Sequence, residues 1–67
     1  MHAVSRSARI YVAGHNGMVG SAIVRRLARL GYANVIIRAR QELDLLDQRA
    51  VRAFMEEARP EYVFLAA

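Results

Sequence analysis

The sequence has no lysine, no cysteine and no tryptophan, one proline and two histidines in 67 residues. Each absence closes off a chemistry. Without cysteine there is no disulfide framework and no thiolate metal site. His2 and His15 are too few and too far apart to build a metal centre. Without lysine these residues cannot form a Schiff base, nor supply the ammonium that lowers a catalytic tyrosine's pKa. Long apolar runs are missing as well. After Arg6 and Arg9 the run from Ile10 to Ala13 ends in a glycine loop, too short for a signal peptide or a membrane helix. That pattern points to a cytoplasmic protein with no membrane partner.

What is present is arginine. Ten arginines carry the net charge of +4. They are spread along two helical patterns and interleaved with Glu42, Glu56, Glu57 and Glu61, which reads as a solvated basic surface and not as a nucleic-acid footprint. The composition, 55% hydrophobic and 24% charged, is that of a packed globular chain. Its length is near the lower limit for a self-sufficient domain.

The most informative stretch is Gly14-His15-Asn16-Gly17-Met18-Val19-Gly20, which holds three of the four glycines. The apolar run Arg9 to Ala13 before it reads as a buried strand. After it, Val19, Ile23, Leu27 and Leu30 share one face of a helix from Met18 to Leu30, with Gly31 placed to end it. Ala33 to Ile37 reads as a second strand, rich in β-branched residues. Asp47 suits the N-cap of a second helix in which Val51, Phe54, Met55 and Ala58 form the apolar face, and Pro60 stops it. Glu61 to Ala66 is a third strand. Met1 to Ser7 is polar and unpatterned and is expected to fray. Residues 1–8 are accordingly an N-terminal extension and 9–67 the first part of a nucleotide-binding domain.

Strand, helix, strand, helix, strand with short connections predicts an α/β fold with parallel strands and right-handed crossovers. With the third strand continuing outward from the second, both helices fall on one face of the sheet. The other face is then bare, although the strands are apolar on both sides. Parallel sheets are normally covered on both faces. The expectation is therefore the first βαβαβ half of a Rossmann-type doubly wound sheet, with the rest of the domain and a substrate domain outside these residues.

A strand, a glycine loop and a helix present unpaired amides and a helix dipole to a phosphate. Gly14 permits the tight turn, Gly17 lets the backbone approach a pyrophosphate, and Gly20 lets the helix pack on the sheet. The spacing, G-x-x-G-x-x-G, is that of short-chain dehydrogenases and their extended relatives. An acid at the end of the second strand would accept from a ribose 2′-hydroxyl. This chain offers Arg38 and Arg40 there, and its first acid is Glu42. Guanidinium groups fit a 2′-phosphate with paired hydrogen bonds, which points to NADP(H). His15 either contacts cofactor phosphate or ribose or donates to the loop backbone. Asp44 and Asp47 suit turn and cap duties better than paired acid–base work, and Asp44 can also lie near the adenine. Met18, Val19, Phe54 and Met55 read as packing residues in their side chains. No tyrosine begins Tyr-x-x-x-Lys, so no catalytic constellation is present.

Three blocks carry a resemblance: Val12 to Ile23, Arg38-Ala39-Arg40-Gln41-Glu42-Leu43-Asp44-Leu45-Leu46-Asp47, and Leu65-Ala66-Ala67. On these the chain resembles the N-terminus of the GDP-L-fucose synthase family, the GDP-4-keto-6-deoxy-mannose 3,5-epimerase/4-reductases, within the extended short-chain dehydrogenase/NAD-dependent epimerase group. The resemblance implies an NADPH-dependent oxidoreductase and isomerase that epimerises C3 and C5 of a keto sugar and reduces C4. It implies a cytoplasmic homodimer acting on a GDP-sugar. Residue by residue, it implies that Gly14, His15, Asn16, Gly17, Met18, Val19 and Gly20 hold the pyrophosphate. Arg40, with Arg38 nearby, would hold the 2′-phosphate. Gln41, Glu42, Leu43, Asp44 and Leu45 would flank the adenosine, and Leu65, Ala66 and Ala67 would pass the cofactor's middle. Some members have arginine where this chain has Asn16, which donates a hydrogen bond but brings no charge. The family's catalytic Ser, Tyr and Lys and its Cys and His pair would follow residue 67.

Three other readings are compatible with these residues. One is another nucleotide-sugar epimerase or dehydratase. The second is a non-catalytic NADP-binding sensor or scaffold, which a downstream Tyr-x-x-x-Lys would exclude. The third is a small basic nucleic-acid-binding domain, which leaves the glycine loop without a role.

Overall fold

The computed structural model describes residues 4–66. The elements run β1 (Ile10–Ala13), α1 (Met18–Arg29), β2 (Val35–Ile36), α2 (Gln48–Ala58) and β3 (Tyr62–Leu65). The sheet is parallel and its order is β2-β1-β3. Ile10 pairs with Val35 on one side and Tyr62 on the other, and the register with β3 continues to Ala13 opposite Leu65.

This order corrects one expectation. The third strand does not continue outward from the second; it pairs with the opposite edge of β1. The two crossovers therefore run in opposite directions across the sheet. With right-handed crossovers, reversing direction moves the connecting helix to the other face. Leu27, Ile23 and Val24 of α1 pack with Ile10 and Val12. Val51, Phe54 and Met55 of α2 pack with Tyr11 and Ala13. Both faces of β1 are covered, and all four of its residues are buried. Within the sheet the apolar surface left open is that of the edge strand β3: all four of its residues are exposed, Leu65 at 76%.

The helix ends follow local chemistry. α1 stops at Leu30, followed by Gly31 at φ 89°, a left-handed conformation that glycine adopts without a Cβ penalty. The Asp47 side chain accepts from the Ala50 amide at 3.1 Å and starts α2. Arg59, at φ 47°, ends it just before Pro60.

The segment expected to fray is tied down over the residues described. Ala8 is buried and Val4 packs on the α1-side core. The Arg6 guanidinium lies 4.7 Å from the centre of the Tyr32 ring and donates to its hydroxyl at 2.9 Å. Asn34 Nδ2 donates to the Ser7 carbonyl at 2.8 Å. At the same end of the sheet, Arg9 Nε donates to the Arg59 carbonyl at 2.7 Å, and Glu61 accepts from the Arg9 amide. These contacts fix the end of the sheet opposite the glycine loop.

Candidate nucleotide-binding cleft

The three glycines of the loop are there for three different reasons. Gly14 leaves β1 at φ 83°, which an L side chain rarely tolerates. A Cβ on Gly20 would run into the Gly14 carbonyl, so this glycine is what lets α1 sit against the loop. Gly17 has neither constraint. Its φ of −78° suits any residue, and a Cβ there would meet only the Gly14 carbonyl at an ordinary 3.5 Å. Folding does not demand glycine at this position. Open space in front of the backbone is what the residue provides.

Gly17 is also the N-cap of α1, and no side chain caps the helix. The first turn holds no acid that would compete for an incoming anion. The Gly17 amide closes the loop by donating to the Gly14 carbonyl at 3.1 Å. The first-turn amides and the helix dipole thus face outward from the carboxyl end of β1, where ligands bind in open α/β sheets.

A cleft of about 380 Å³ opens at that end. The glycine loop contributes Gly14, His15, Asn16 and Gly17 to its lining, and the turn after β2 contributes Arg38 and Arg40. Tyr11 of β1 and Leu43, Asp44, Leu45 and Leu46 complete the lining. The turn after β2 positions the arginines. Glu42 Oε1 accepts from the Ala39 amide at 2.9 Å, and the Glu42 and Leu43 amides donate to the Ala39 carbonyl. Leu43 is thereby driven into the core against Tyr11 and Ala13. Arg38 lies over the Phe54 ring at 5.3 Å and donates to the Ile37 carbonyl at 2.7 Å. Arg40 forms no ion pair among the described residues.

The carboxylates of this segment are otherwise engaged. Asp44 Oδ1 accepts from the Leu46 amide at 2.9 Å, and Asp47 caps α2. Both perform the turn and cap duties expected of them. Among the described residues no cluster of three or more His, Asp or Glu could hold a metal ion.

Of the residues named from sequence, Gly14, His15, Asn16, Gly17, Arg38, Arg40, Leu43, Asp44 and Leu45 line the cleft together. Gly20 lies behind the loop. Gln41 and Glu42 belong to the supporting turn and do not line the cleft. Leu65 ends β3 opposite Ala13, and the Ala66 amide just after it donates to the Ala13 carbonyl at 2.9 Å. Ala67 lies outside the described residues. Met18 and Val19 do not pack as expected: both are exposed, Met18 at 89%. They stand at the first turn of α1, beyond the reach of the core that takes up Ile23 and Leu27. Tyr11 and Leu46 line the cleft without having been singled out. The alternation of β1 places Tyr11 in the core and gives no sign that its tip reaches the ligand side.

The family model described as "NAD dependent epimerase/dehydratase family" matches residues 10–67. A putative GDP-L-fucose synthase 2 of Oryza sativa subsp. japonica is 55% identical over 62 residues, covering 92% of this chain and 18% of the relative. The GDP-L-fucose synthase of Escherichia coli (strain K12) is 51% identical over 59 residues, covering 88% and 18%. Among solved structures, a GDP-mannoheptose C4 reductase from Campylobacter jejuni with NADP bound superposes with a TM-score of 0.94 at 46% identity, covering 97% of this chain and 19% of that one. A GDP-6-OMe-4-keto-L-xylo-heptose reductase from C. jejuni gives a TM-score of 0.93 at 47% identity, covering 96% and 18%. The chain thus spans about a fifth of the length of these relatives.

Proposed function

Because the chain belongs to the NAD dependent epimerase/dehydratase family, we propose that it is the cofactor-binding segment of an NADPH-dependent nucleotide-sugar epimerase/reductase that makes GDP-L-fucose from GDP-4-keto-6-deoxy-mannose. The observation that carries the cofactor reading is Gly17. Its missing side chain serves no need of the fold, and the space it leaves opens onto uncapped helix amides and a cleft walled by Arg38 and Arg40. A dinucleotide with a 2′-phosphate satisfies both parts.

In this reading Gly14, His15, Asn16 and Gly17, with the amides of Met18 and Val19, hold the pyrophosphate. Gly20 acts indirectly, by holding α1 against the loop. Arg40 takes the 2′-phosphate, with Arg38 at its side and Asn16 as a neutral donor. Leu43, Asp44 and Leu45 receive the adenosine, Gln41 and Glu42 keep the turn in place, and Leu65, Ala66 and Ala67 pass the middle of the cofactor. NADPH supplies the hydride for reduction at C4. The residues of this chain bind and orient the cofactor, and the acid–base groups come from further along the protein.

Identity of 50–55% to fucose synthases supports the fucose assignment. The fit to two GDP-heptose reductases at 46–47% identity supports a second reading, in which the same segment serves reduction of a GDP-heptose. The family resemblance extends the proposal to a cytoplasmic homodimer. No described helix is long and apolar enough to cross a membrane.

The test is direct titration of the complete reading frame's product with NADPH, followed by nicotinamide fluorescence. Saturable binding displaced by 2′,5′-ADP is expected. Absence of binding overturns the cofactor reading. Turnover with GDP-4-keto-6-deoxy-mannose against a GDP-keto-heptose decides between the two substrates.

A further inference from the structure

Tyr11 presents an unexplained polar atom. It sits on the central strand, 2% exposed, with its ring centroid 4.7 Å from that of Phe54 at an interplanar angle of 59°. Leu43 and Ala13 complete the packing. A phenylalanine would make all of these contacts. The hydroxyl adds a polar group to a position where polar groups are costly unless hydrogen-bonded.

No described residue hydrogen-bonds to that hydroxyl, yet it is not sealed in the core: no buried side-chain oxygen or nitrogen is left without a partner. Tyr11 reaches the cleft, whose lining it shares with Arg38 and Arg40. Arg38 and Tyr11 flank the same aromatic ring, Arg38 over Phe54 at 5.3 Å and Tyr11 tilted against it. The carboxylates of Glu42, Asp44 and Asp47 each accept from a backbone amide of their own turns, and none accepts from the Tyr11 hydroxyl. Burial raises the phenol's pKa, and the Arg38 charge lowers it in part. The hydroxyl therefore keeps its proton at neutral pH and is a donor. A donor lining the same cleft as Arg38 and Arg40 suits an anionic acceptor from the ligand.

We infer that the Tyr11 hydroxyl is a specificity-determining contact that donates to the phosphorylated ribose of the bound dinucleotide, beside Arg38 and Arg40. The inference rests on the cofactor reading above and adds a residue to it. A phosphate monoester offers acceptor oxygens to both guanidinium groups and to the phenol together. A ribose bearing a free 2′-hydroxyl does not.

The experiment is calorimetric titration of the complete protein and its Tyr11→Phe variant with 2′,5′-ADP and with 5′-AMP, which lacks the 2′-phosphate. Tyr11→Phe should weaken 2′,5′-ADP about tenfold or more and leave 5′-AMP within about twofold, as loss of one hydrogen bond to an anion implies. The thermal midpoint should not fall, because the ring contacts remain. If Tyr11→Phe proves unstable, Tyr11→Leu also lacks the hydroxyl and must show the same selective loss. Undiminished preference for 2′,5′-ADP in either folded variant overturns the inference and leaves the cofactor reading intact. So does equal weakening of both nucleotides. Wild-type protein that binds neither nucleotide overturns the cofactor reading and this inference with it.

Discussion

Gly20 and Gly14 are in such close apposition that a single methyl group on Gly20 would occupy the place of the Gly14 carbonyl. Gly17, three residues earlier, tolerates the same methyl at 3.5 Å from that carbonyl. The two positions separate folding from binding.

Gly20→Ala should therefore damage the fold. The atom in the way is backbone and cannot swing aside, so the loop or α1 must shift. A fall in thermal midpoint together with lost nucleotide binding is expected. A variant as stable as wild type would show that the loop relaxes more easily than its geometry implies.

Gly17→Ala should do the opposite. Its thermal midpoint should stay close to wild type, while NADPH and NADH both bind more weakly because the Cβ occupies pyrophosphate space. Gly17→Val should abolish both. Full affinity in a folded Gly17→Val protein would make the loop purely structural.

Arg40→Ala addresses the choice between cofactors. Hydrogen bonds to charged groups contribute about 1.5–3 kcal/mol, so NADPH should bind about tenfold less tightly or worse. NADH should be nearly unaffected. Parallel losses for the two cofactors, measured by fluorescence titration, would contradict the placement of the 2′-phosphate at Arg40.

Asp47→Ala removes the acceptor for the Ala50 amide. N-cap losses of this kind cost about 1 kcal/mol. Denaturant unfolding should show that loss with an unchanged slope, and Asp47→Ser should restore most of it.

The 67-residue chain by itself should self-associate and show no reductase or epimerase turnover. The exposed β3 edge, apolar on both faces, is a template for another strand. Sedimentation of the purified chain provides the check. A monodisperse, cooperatively folding monomer at high concentration would show that this edge is adequately protected.

Much of the framework was legible in the sequence because its causes are local. Gly31 ends α1 and Asp47 starts α2 through contacts within four residues. The glycine loop follows from spacing alone. Strand order was not legible, because β1 presents the same backbone donors and acceptors along both edges and nothing in its side-chain pattern says which edge β3 will join. The ordering of Val4 to Ala8 depends on Arg6 meeting Tyr32, 26 residues away. The same limit applies to Tyr11: a period-2 pattern places its ring in the core and says nothing of where the hydroxyl emerges. Most of the cleft's walls could be named from turn chemistry. Tyr11 could not, since its place against Leu43 and Phe54 depends on tertiary packing.

The β2-β1-β3 order also sets a sequence of events during synthesis. β1 leaves the ribosome first and becomes the sheet's middle, yet its second neighbour arrives late: the Arg9–Glu61 contact joins residues 52 positions apart. Closing so large a loop is a slow step compared with forming either helix. Until then one edge of the central strand is open to solvent and to chaperones. The loop and the arginine turn are made early, but the tyrosine beneath them is not held until the chain has doubled back. Nascent protein halted before residue 62 should expose β1 to protease, and protection should appear once β3 has emerged.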